Sequence, residues 1–287
     1  MLSATSTRAF GQSTLRTTVF LEREFRANLV TRDRLLYSSK YAPPAKKPST
    51  FVHIYASLKG WLEPQGGAAA SGPQCYVLAE DEFDRVQPTS ATFRSWGDPC
   101  AIVELRVPAA HVRRPIGLAH GPVELPPALW DAYHALDQTR AAAELHVVIA
   151  QLGEAGIISP DLASSPVKDE PERFVRLWEV IRPLFEDLAT SASLKQIAIL
   201  AKLSLRQLGR DLGDLTRTFG LFGAGFRDAM RVLRLRAAVL LLSSPDASPS
   251  EVAKAVGYGS LDAMGRAFRD AALPAPSLVQ DAVRYPG

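Results

Sequence analysis

The sequence is poor in cysteine and contains no long apolar run. Its two cysteines, Cys75 and Cys100, cannot build a disulfide framework, and no Cys-x-x-Cys pair is present. The longest uninterrupted aliphatic run, Ala237–Leu242, is far shorter than the ~20 residues that a transmembrane helix needs. The first twenty residues have no continuous apolar core, so we expect no secretory signal. These absences predict a cytoplasmic protein with no membrane partner.

The common sequence signatures of catalysis are also missing. The five histidines show neither H-x-H nor H-E-x-x-H spacing. The sequence has no G-x-S-x-G elbow, no P-loop and no dinucleotide-binding glycine pattern. It therefore predicts a protein that is not an enzyme and that holds no metal and no cofactor.

What the sequence does contain is an ordinary globular composition that changes in charge along the chain. Its 287 residues are 47% apolar and 22% charged, and at roughly 100–200 residues per domain this length predicts two domains. The net charge of +3 is too small to indicate a nucleic-acid partner by itself. Residues 171–287, however, carry 16 basic against 12 acidic side chains, so the positive charge is concentrated there.

A proline-rich segment separates the two predicted domains. Residues 157–171 include three prolines and three serines. Because proline removes a backbone donor and restricts the residue before it, we expect no helix or inner strand here. The sequence predicts a first domain at residues 1–156, a linker at 157–170 and a second domain at 171–287.

The first domain begins with strand patterns and ends with helix patterns. Short β-branched or aromatic runs predict strands at Leu15–Leu21, Phe51–Lys59, Gln74–Ala79 and Ala101–Val107. The apolar spacing then changes between residues 127 and 152 and predicts two amphipathic helices that separate near Thr139. A small β barrel or sandwich followed by helices is the predicted architecture.

The second domain is predicted to be all-α, with seven helices and an internal repeat. The pattern S-L-x-x-[LM]-G-R-x-[LF] occurs at Ser204–Leu212 and again at Ser260–Phe268. A predicted short helix with an apolar-alanine pair, Ile197-Ala198 or Val252-Ala253, precedes each copy. Two short helices joined by a tight turn are the size of a helix-turn-helix unit. The predicted apolar face of the second helix in the first copy comprises Leu205, Leu208, Leu212 and Leu215.

The outward face of each repeat has side chains that can read DNA. A helix fits the major groove, and its N-terminal residues meet base edges. Arg206 suits guanine and Gln207 suits adenine, while Asp262 can accept from a cytosine amino group. Structural alternatives stay open, because Asp262 also suits a helix N-terminus and Arg210 can serve helix packing through a salt bridge.

These motifs together resemble the DNA-binding domain of the AraC/XylS family of bacterial transcription regulators, over residues ~190–287. Lys202 stands where the family usually has a turn glycine. The residues that match the first unit are Ala198, Ser204, Leu208 and Arg210, with Leu212 in place of phenylalanine. The residues that match the linker helix are Arg234, Leu235, Ala238, Leu241 and Leu242. The residues that match the second unit are Val252, Ala253, Gly257, Tyr258, Met264, Arg266, Phe268 and Arg269.

The resemblance implies a sequence-specific transcription regulator with double-stranded promoter DNA as its partner and RNA polymerase as a further one. It leaves open whether the output is activation or repression. The side chains predicted to face bases are Arg206, Gln207, Arg210, Asp262 and Ala263. The side chains predicted to contact phosphates are Lys202, Arg217, Arg227, Arg231, Lys254, Ser260, Arg266 and Arg269. In the family an arginine of the linker helix braces the two units, so Arg234 and Arg236 are expected to be structural.

The resemblance also implies an α+β chain whose first domain is a cupin-like β barrel with dimerisation helices. Such a domain binds a small effector or forms a homodimer. The aromatic residues predicted to line an effector pocket are Trp61, Tyr76, Phe93 and Trp96, with core packing as the alternative. The predicted dimer surface comprises Leu129, Tyr133, Leu136 and Val147, with burial against the barrel as the alternative.

A second functional class stays open at this stage. The chain can be a small-molecule-binding β-barrel protein whose helical tail contacts other proteins. That hypothesis predicts that residues 171–287 do not bind DNA at low salt.

Overall fold

The computed structural model describes residues 1–43, 50–84, 91–165, 169–190, 192–221 and 225–286. Strands and one short helix fill most of the first hundred residues. The strands are β1 Leu2–Phe10, β2 Ser13–Leu21, β3 Arg26–Asp33, β4 Tyr37–Ser38, β5 Phe51–Pro64, β6 Ala70–Ser71, β7 Gln74–Ala79 and β8 Phe93–Pro108. The first helices are α1 Glu80–Asp84, α2 Pro127–Thr139, α3 Ala142–Glu154 and α4 Pro160–Ala163. The later helices are α5 Glu172–Glu186, α6 Leu194–Leu200, α7 Leu205–Thr218, α8 Phe226–Leu242, α9 Pro249–Ala255, α10 Leu261–Asp270 and α11 Pro276–Ala282.

The eight described strands form one antiparallel sheet. Its order is β1-β2-β3-β8-β5-β6, with β4 paired to β8 and β7 paired to β5. The long strands β5 and β8 pair along most of their length, and the register shifts between Ser57 and Trp61. The predicted α+β fold class is therefore confirmed: an antiparallel sheet domain precedes a helical one.

Alternation along the strands divides the sheet into two faces with different coverings. Ala27 and Leu29 of β3 point toward α2 and α3, in a core that also contains Val103 and Leu105 of β8. Asn28 and the other even-numbered residues of β3 point to the opposite face. Because successive side chains of a strand point to opposite sides, this second face is free to meet the C-terminal helices.

The predicted helix pair after the sheet is confirmed, but the predicted dimer surface is wrong. α2 ends at Thr139, where the sequence placed the break. Leu129, Tyr133 and Leu136 are almost fully buried in the core between these helices and the sheet. Val147 alone of the four is exposed. The apolar stripe thus stabilises the first domain, as the alternative interpretation proposed.

The predicted linker contains structure that its prolines did not indicate. Ile157 and Ile158 are buried in the core of the first domain, and Ile158 forms an isolated bridge with Val112. The one-turn helix α4 follows, because Ser159 caps it and Pro160 occupies its first turn, where a missing N–H costs nothing. Residues 166–168 of the linker lie outside the described residues, and the domain boundaries stay predictions.

The seven helices predicted after the linker correspond to α5–α11 of the described chain. α5 continues through Pro183 to Glu186. The helices share an apolar core with the edge of the sheet, since Leu15 and Leu21 of β2 pack in the same cluster as α5, α7 and α8. Within the described ranges, no helix has the length and apolar character needed to span a bilayer.

Several hydrogen bonds join the sheet to the helices. The Trp178 Nε1 group of α5 donates to the Ser3 carbonyl of β1 at 3.0 Å. The Ser13 and Ser244 hydroxyls lie 2.7 Å apart in a buried position. Arg106 of β8 donates to the Gly220 carbonyl, just after α7, at 2.9 Å. The sheet therefore contacts the helical domain on both sides of α8, at Gly220 before it and at Ser244 after it.

Candidate nucleic-acid interface

The two repeated segments form helix-turn-helix units with the same turn. α6 ends in a turn in which the Leu203 N–H donates to the Ala198 carbonyl at 2.9 Å and Lys202 N–H to Ile199 at 3.1 Å. α9 ends in the same pattern, with Tyr258 bonded to Ala253 at 2.8 Å. This pair of bonds satisfies the last carbonyls of a helix and needs a left-handed residue in the turn. Lys202 fills that position in the first unit, with φ of 55°.

Serine caps fix where the second helix of each unit begins. The Ser204 hydroxyl accepts from the Gln207 N–H at 3.2 Å, and the Ser260 hydroxyl accepts from the Ala263 N–H at 3.1 Å. An N-cap side chain of this kind satisfies one of the free donors at a helix start. The repeated serine therefore places the first turns of α7 and α10 at equivalent positions in the two units.

Buried residues clamp each unit to the helical core. Ala198 and Ala253 are 4% and 0% exposed, so the second helix of each unit lies close to the first. Leu208 and Leu212 bury one face of α7, and the equivalent residues Met264 and Phe268 bury one face of α10. The first turn of each helix consequently points away from the core.

The first unit exposes most of the predicted base-reading residues. Arg206, Gln207 and Arg210 are all exposed, and neither arginine forms an ion pair with a described residue. Leu205, which was predicted to face the core, is instead 59% exposed. It is the first residue of α7, ahead of the turn whose face is buried, and an exposed apolar side chain there can contact a thymine methyl group.

The second unit exposes a face of mixed charge. Asp262, Arg266 and Arg269 are exposed and Ala263 is half-buried. The exposed Ser260 hydroxyl is already the acceptor of the α10 cap, which leaves it one proton to donate. The face of α10 therefore offers fewer hydrogen-bond donors near its start than that of α7.

The remaining predicted phosphate contacts differ in their ion pairing. Lys202, Lys254 and Arg227 are exposed and form no ion pair in the described part of the chain. Arg217 is exposed but pairs with Asp214 one turn earlier on α7. Arg231 pairs with Asp228 at 2.8 Å on α8. A neighbouring carboxylate offsets part of the attraction between such an arginine and a phosphate.

Two arginines that the sequence did not indicate extend the first unit. Arg173 and Arg176 of α5 line a surface groove with Gln207 and Arg210 of α7. Arg173 also pairs with Asp214 at 3.3 Å, which fixes α5 to the side of α7. The sequence predicted α5 as a helix but carried no signal for its packing beside α7.

Arg234 of α8 connects the two units, as the resemblance implied. Its Nε and Nη2 donate to the Leu188 and Thr190 carbonyls, each at 3.2 Å, in the segment before α6. It also lies against Gly257, where an added Cβ would meet the Leu188 oxygen at 2.3 Å and the Arg234 guanidinium at 3.1 Å. Arg234 therefore binds the segment before the first unit beside the turn of the second.

Arg236 has a different structural role, away from the exposed faces of α7 and α10. Its guanidinium lies 5.6 Å from the centre of the Phe83 ring on α1. It lines a cavity of about 190 Å³, together with residues of the sheet, of α5 and of the rest of α8.

The aromatic residues predicted to form an effector pocket lie elsewhere. Trp61 is 43% exposed and stacks on Trp96 at 6.4 Å between ring centres. Phe93 and Tyr76 are buried in a separate apolar cluster of the sheet domain. None of the four lines the cavity between the sheet and the helices. The described residues also contain no group of three or more histidine, cysteine or acidic side chains placed to hold a metal.

One family model agrees with the geometry of these units. Residues 205–281 match the family model of a helix-turn-helix domain. Among solved structures, the chain is similar to a DNA-binding transcriptional dual regulator from Escherichia coli K-12, at 20% identity over 40% of this chain and 96% of that one, with a TM-score of 0.31. It is similar to the C-terminal domain of AraT, a response regulator from Geobacillus stearothermophilus, at 20% identity over 41% and 90%, with a TM-score of 0.33. ToxT from Vibrio cholerae aligns at 9% identity over 89% and 98%, with a TM-score of 0.37. No curated protein matches the sequence.

Proposed function

We propose that this chain, which carries an AraC-type helix-turn-helix domain at residues 205–281, is a sequence-specific transcription regulator that places α7 and α10 in successive major grooves. The observation that carries the proposal is the repeated unit itself. Two helices with the same turn and the same serine cap expose their first turns. The N-terminal part of such a helix is what meets base edges in helix-turn-helix proteins.

The two units have different roles in this proposal. Arg206, Gln207 and Arg210 of α7 read bases, because they supply donors that suit guanine and adenine. Asp262 of α10 accepts from a cytosine amino group, and Ala263 packs near the base edges. The exposed cations around both units hold the phosphates and so supply a salt-dependent background affinity. These are Lys202, Arg217, Lys254, Arg266 and Arg269, with the Ser260 hydroxyl as an added donor.

We further propose that a small effector controls the regulator from the cavity between the sheet and the helices. The cavity wall includes Leu233, Ala237 and Leu240 of α8, the helix that lies between the two units. It also includes residues of β1, β2 and β3. An occupant would therefore touch both the sheet and the helix that connects the two units. This cavity is a better candidate for the effector site than the four aromatic residues that the sequence predicted, since none of the four lines it.

Genomic immunoprecipitation of the full-length chain, followed by footprinting of the recovered promoters, tests the proposal. We expect protection of roughly two helical turns of DNA by one chain, since successive major grooves lie ~34 Å apart. The double variant Arg206→Ala and Arg210→Ala is the matched comparison, because it lacks two of the proposed base-reading side chains. We expect it to protect none of the recovered DNA. Recovery of no duplex that the purified protein protects would contradict the assignment and favour the protein-binding alternative.

A further inference from the structure

We propose that α5 is a third DNA-contacting helix, whose Arg176 binds a backbone phosphate beside the major groove that α7 enters. This inference rests on the proposed binding of DNA by the first unit and adds a contact from outside the two repeated units. Three observations lead to it: the position of α5 beside α7, the surface groove that the two helices share, and the charge of that groove.

α5 packs along one side of α7. Leu177 of α5 is buried in the same apolar core as Leu208 of α7. Arg173 extends the contact to the later turns of α7, because its Nη1 lies 3.8 Å from the Asp211 carboxylate and 3.3 Å from that of Asp214. The first half of α5 is therefore fixed against α7 by both apolar packing and ion pairs.

The width of the major groove determines what α5 meets when α7 binds DNA. The groove is about 12 Å wide, and an α-helix with its side chains is about 10–12 Å across, so one helix fills it. A second helix that packs on the first at an interaxial distance of about 8–10 Å has no room within the groove. Its exposed side chains next to the first helix consequently face the sugar-phosphate backbone that borders the groove.

The shared surface groove identifies the side chains of α5 that face this backbone. Arg173, Arg176 and Leu177 of α5 line it together with Gln207 and Arg210 of α7. Gln207 and Arg210 are exposed and belong to the side chains proposed to read bases. Arg176 therefore lies on the same surface of the molecule as the base-reading side of α7.

The charges of the groove favour an anion. Its lining contains one carboxylate, Asp211, which is 6% exposed and is paired with Arg173. Arg176 pairs with Glu172 at 3.8 Å, and the two side chains are 67% and 83% exposed. An ion pair between two exposed side chains contributes little, so Arg176 can exchange Glu172 for a phosphate. A guanidinium binds phosphate through two parallel hydrogen bonds, which makes this the stronger pair.

The fold presents Arg176 on a rigid helix. The next two residues, Leu177 and Trp178, are 1% and 4% exposed, and the Trp178 Nε1 group donates to the Ser3 carbonyl of β1 at 3.0 Å. Because the sheet and α7 both hold α5, only the side chain of Arg176 has to be ordered when it binds. The position of this DNA contact thus depends on the first domain as well as on the helical one.

Replacement of single phosphates in a promoter duplex that the full-length wild type protects tests the inference. The probes are duplexes in which one backbone phosphate at a time is a neutral methylphosphonate. We expect at least one position at the edge of the α7 half-site where the replacement weakens binding by the wild type roughly threefold or more. The same replacement should weaken binding by Arg176→Ala less than about 1.5-fold, because the two changes remove the same contact.

Two further variants show whether the effect belongs to Arg176. The control is Arg182→Ala, because Arg182 is also an exposed arginine of α5 that pairs with a glutamate four residues away, at 3.3 Å, but it does not line the groove. Arg182→Ala should keep the full sensitivity to that phosphate, and Arg176→Lys, which keeps the charge, should keep at least half of it. A loss of sensitivity in Arg182→Ala equal to that in Arg176→Ala would contradict the role of Arg176.

Salt dependence gives a second, independent measurement. Arg176→Ala should lower the slope of log affinity against log salt concentration by about 0.9, the value for one phosphate contact, on every sequence alike. Arg182→Ala should leave the slope unchanged to within about 0.3, since it removes no phosphate contact. Equal slopes for the wild type and Arg176→Ala would overturn the inference.

The same titrations separate this inference from the proposed function. DNA that the wild type and Arg176→Ala bind with equal sensitivity to every phosphate overturns the role of α5 and leaves the regulator intact. The absence of any protected DNA overturns the regulator and this contact together.

Discussion

At the scale of single residues, the two helix-turn-helix turns have the same geometry but different sequence requirements. Lys202 adopts a left-handed backbone with φ of 55° in an exposed turn. Gly257 adopts φ of 83° at the equivalent position, where a Cβ would collide with the Leu188 carbonyl. The first turn thus accommodates a lysine, whereas the second turn has room only for glycine.

Substitutions at these two positions are expected to have opposite effects on stability. Lys202→Gly should raise the free energy of unfolding by about 0.5–1 kcal/mol, because glycine tolerates the left-handed region that costs other residues about 1–2 kcal/mol. Gly257→Ala should lower it by more than about 2 kcal/mol through strain and overlap. Urea denaturation measures both. Lys202→Ala is the control, since it removes the charge and keeps the left-handed strain; a gain in stability there as large as in Lys202→Gly would contradict the argument.

Arg206 and Lys254 are expected to differ in how their loss affects DNA binding. Arg206→Ala should cost about 1–3 kcal/mol at the preferred site and relax the preference at one base pair, because a base-reading contact is lost. Lys254→Ala should weaken binding to all sequences alike. It should also reduce the slope of log affinity against log salt concentration by about one. Affinity measurements on a set of single-base operator variants at several salt concentrations distinguish the two. A uniform loss in Arg206→Ala would assign that arginine to the phosphates instead.

Glu104 is expected to make stability sensitive to acid. Burial alone raises its pKa, but the charge and hydrogen bond of His53, with further contributions from Arg26 and Asn28, lower the pKa to about 2. A carboxyl with a lowered folded-state pKa contributes stability that is fully present above its unfolded value near 4.5 and is lost as the pH falls toward 2. Between about pH 5 and pH 3, the wild type should lose about 2 kcal/mol more than Glu104→Gln. Parallel pH dependences of the two unfolding free energies would contradict this assignment.

At the scale of secondary-structure elements, the helices were predicted more accurately than the strands. Serine caps mark the starts of α6 and α7, and their spacing is visible in the sequence. β7 was predicted at Gln74–Ala79, its exact range in the structure, but β1 and β3 were missed. β3 contains Arg26, Asn28 and Arg32 on the face that lines the cavity. A buried face that carries charged groups does not show the apolar alternation by which strands are recognised.

The serine cap of α10 is a testable element-scale feature. Ser260→Ala should reduce the free energy of unfolding by about 1 kcal/mol, because the Ala263 N–H loses its acceptor. Ser250→Ala on α9 is the control: this serine is exposed within a helix that Ser248 caps, so its loss should change stability by less than about 0.5 kcal/mol. Thermal or chemical unfolding of the two variants checks the difference. Equal losses in the two variants would show that the Ser260 cap contributes no more to stability than an ordinary exposed serine.

At the scale of the whole molecule, Arg234 sets how the two units are held. It binds two carbonyls in the segment before α6 and lies against the turn after α9. Its guanidinium therefore restricts the relative motion of the two units. DNA that engages both units gains from this restriction, because less conformational entropy is lost on binding.

Arg234→Ala is consequently expected to weaken binding to a full operator more than binding to a half-site. We expect a loss of roughly tenfold or more on the full operator and about twofold or less on a half-site that one unit contacts. Inserting about half a helical turn between the half-sites should harm the wild type more than the variant. Gel-shift titrations on the three duplexes measure these ratios. Equal losses on full and half operators would assign Arg234 to DNA contact or to general stability.

The sequence by itself determined the helical domain and the faces proposed to read DNA. Each helix-turn-helix unit depends on contacts within about twenty residues: a cap, a left-handed turn, an alanine and an apolar pair. Because these signals lie close together in the chain, the repeat that begins at Ser204 and Ser260 could be recognised in the sequence. The exposure of Arg206 and Asp262 then followed from the buried apolar face on the opposite side of each helix. Leu205 was misplaced because apolar character alone does not show which residue precedes the first buried turn.

Only the tertiary structure decided which surfaces meet. The stripe of Leu129, Tyr133 and Leu136 is as apolar as a dimer contact, and its burial depends on the sheet that packs on it. The cavity brings Arg32 of the sheet within the same wall as Leu240 of α8, about two hundred residues further along the chain. The apolar periodicity of a segment indicates that one of its faces is buried, but it does not indicate which element buries that face. The covering element depends on packing between segments that are distant in the sequence.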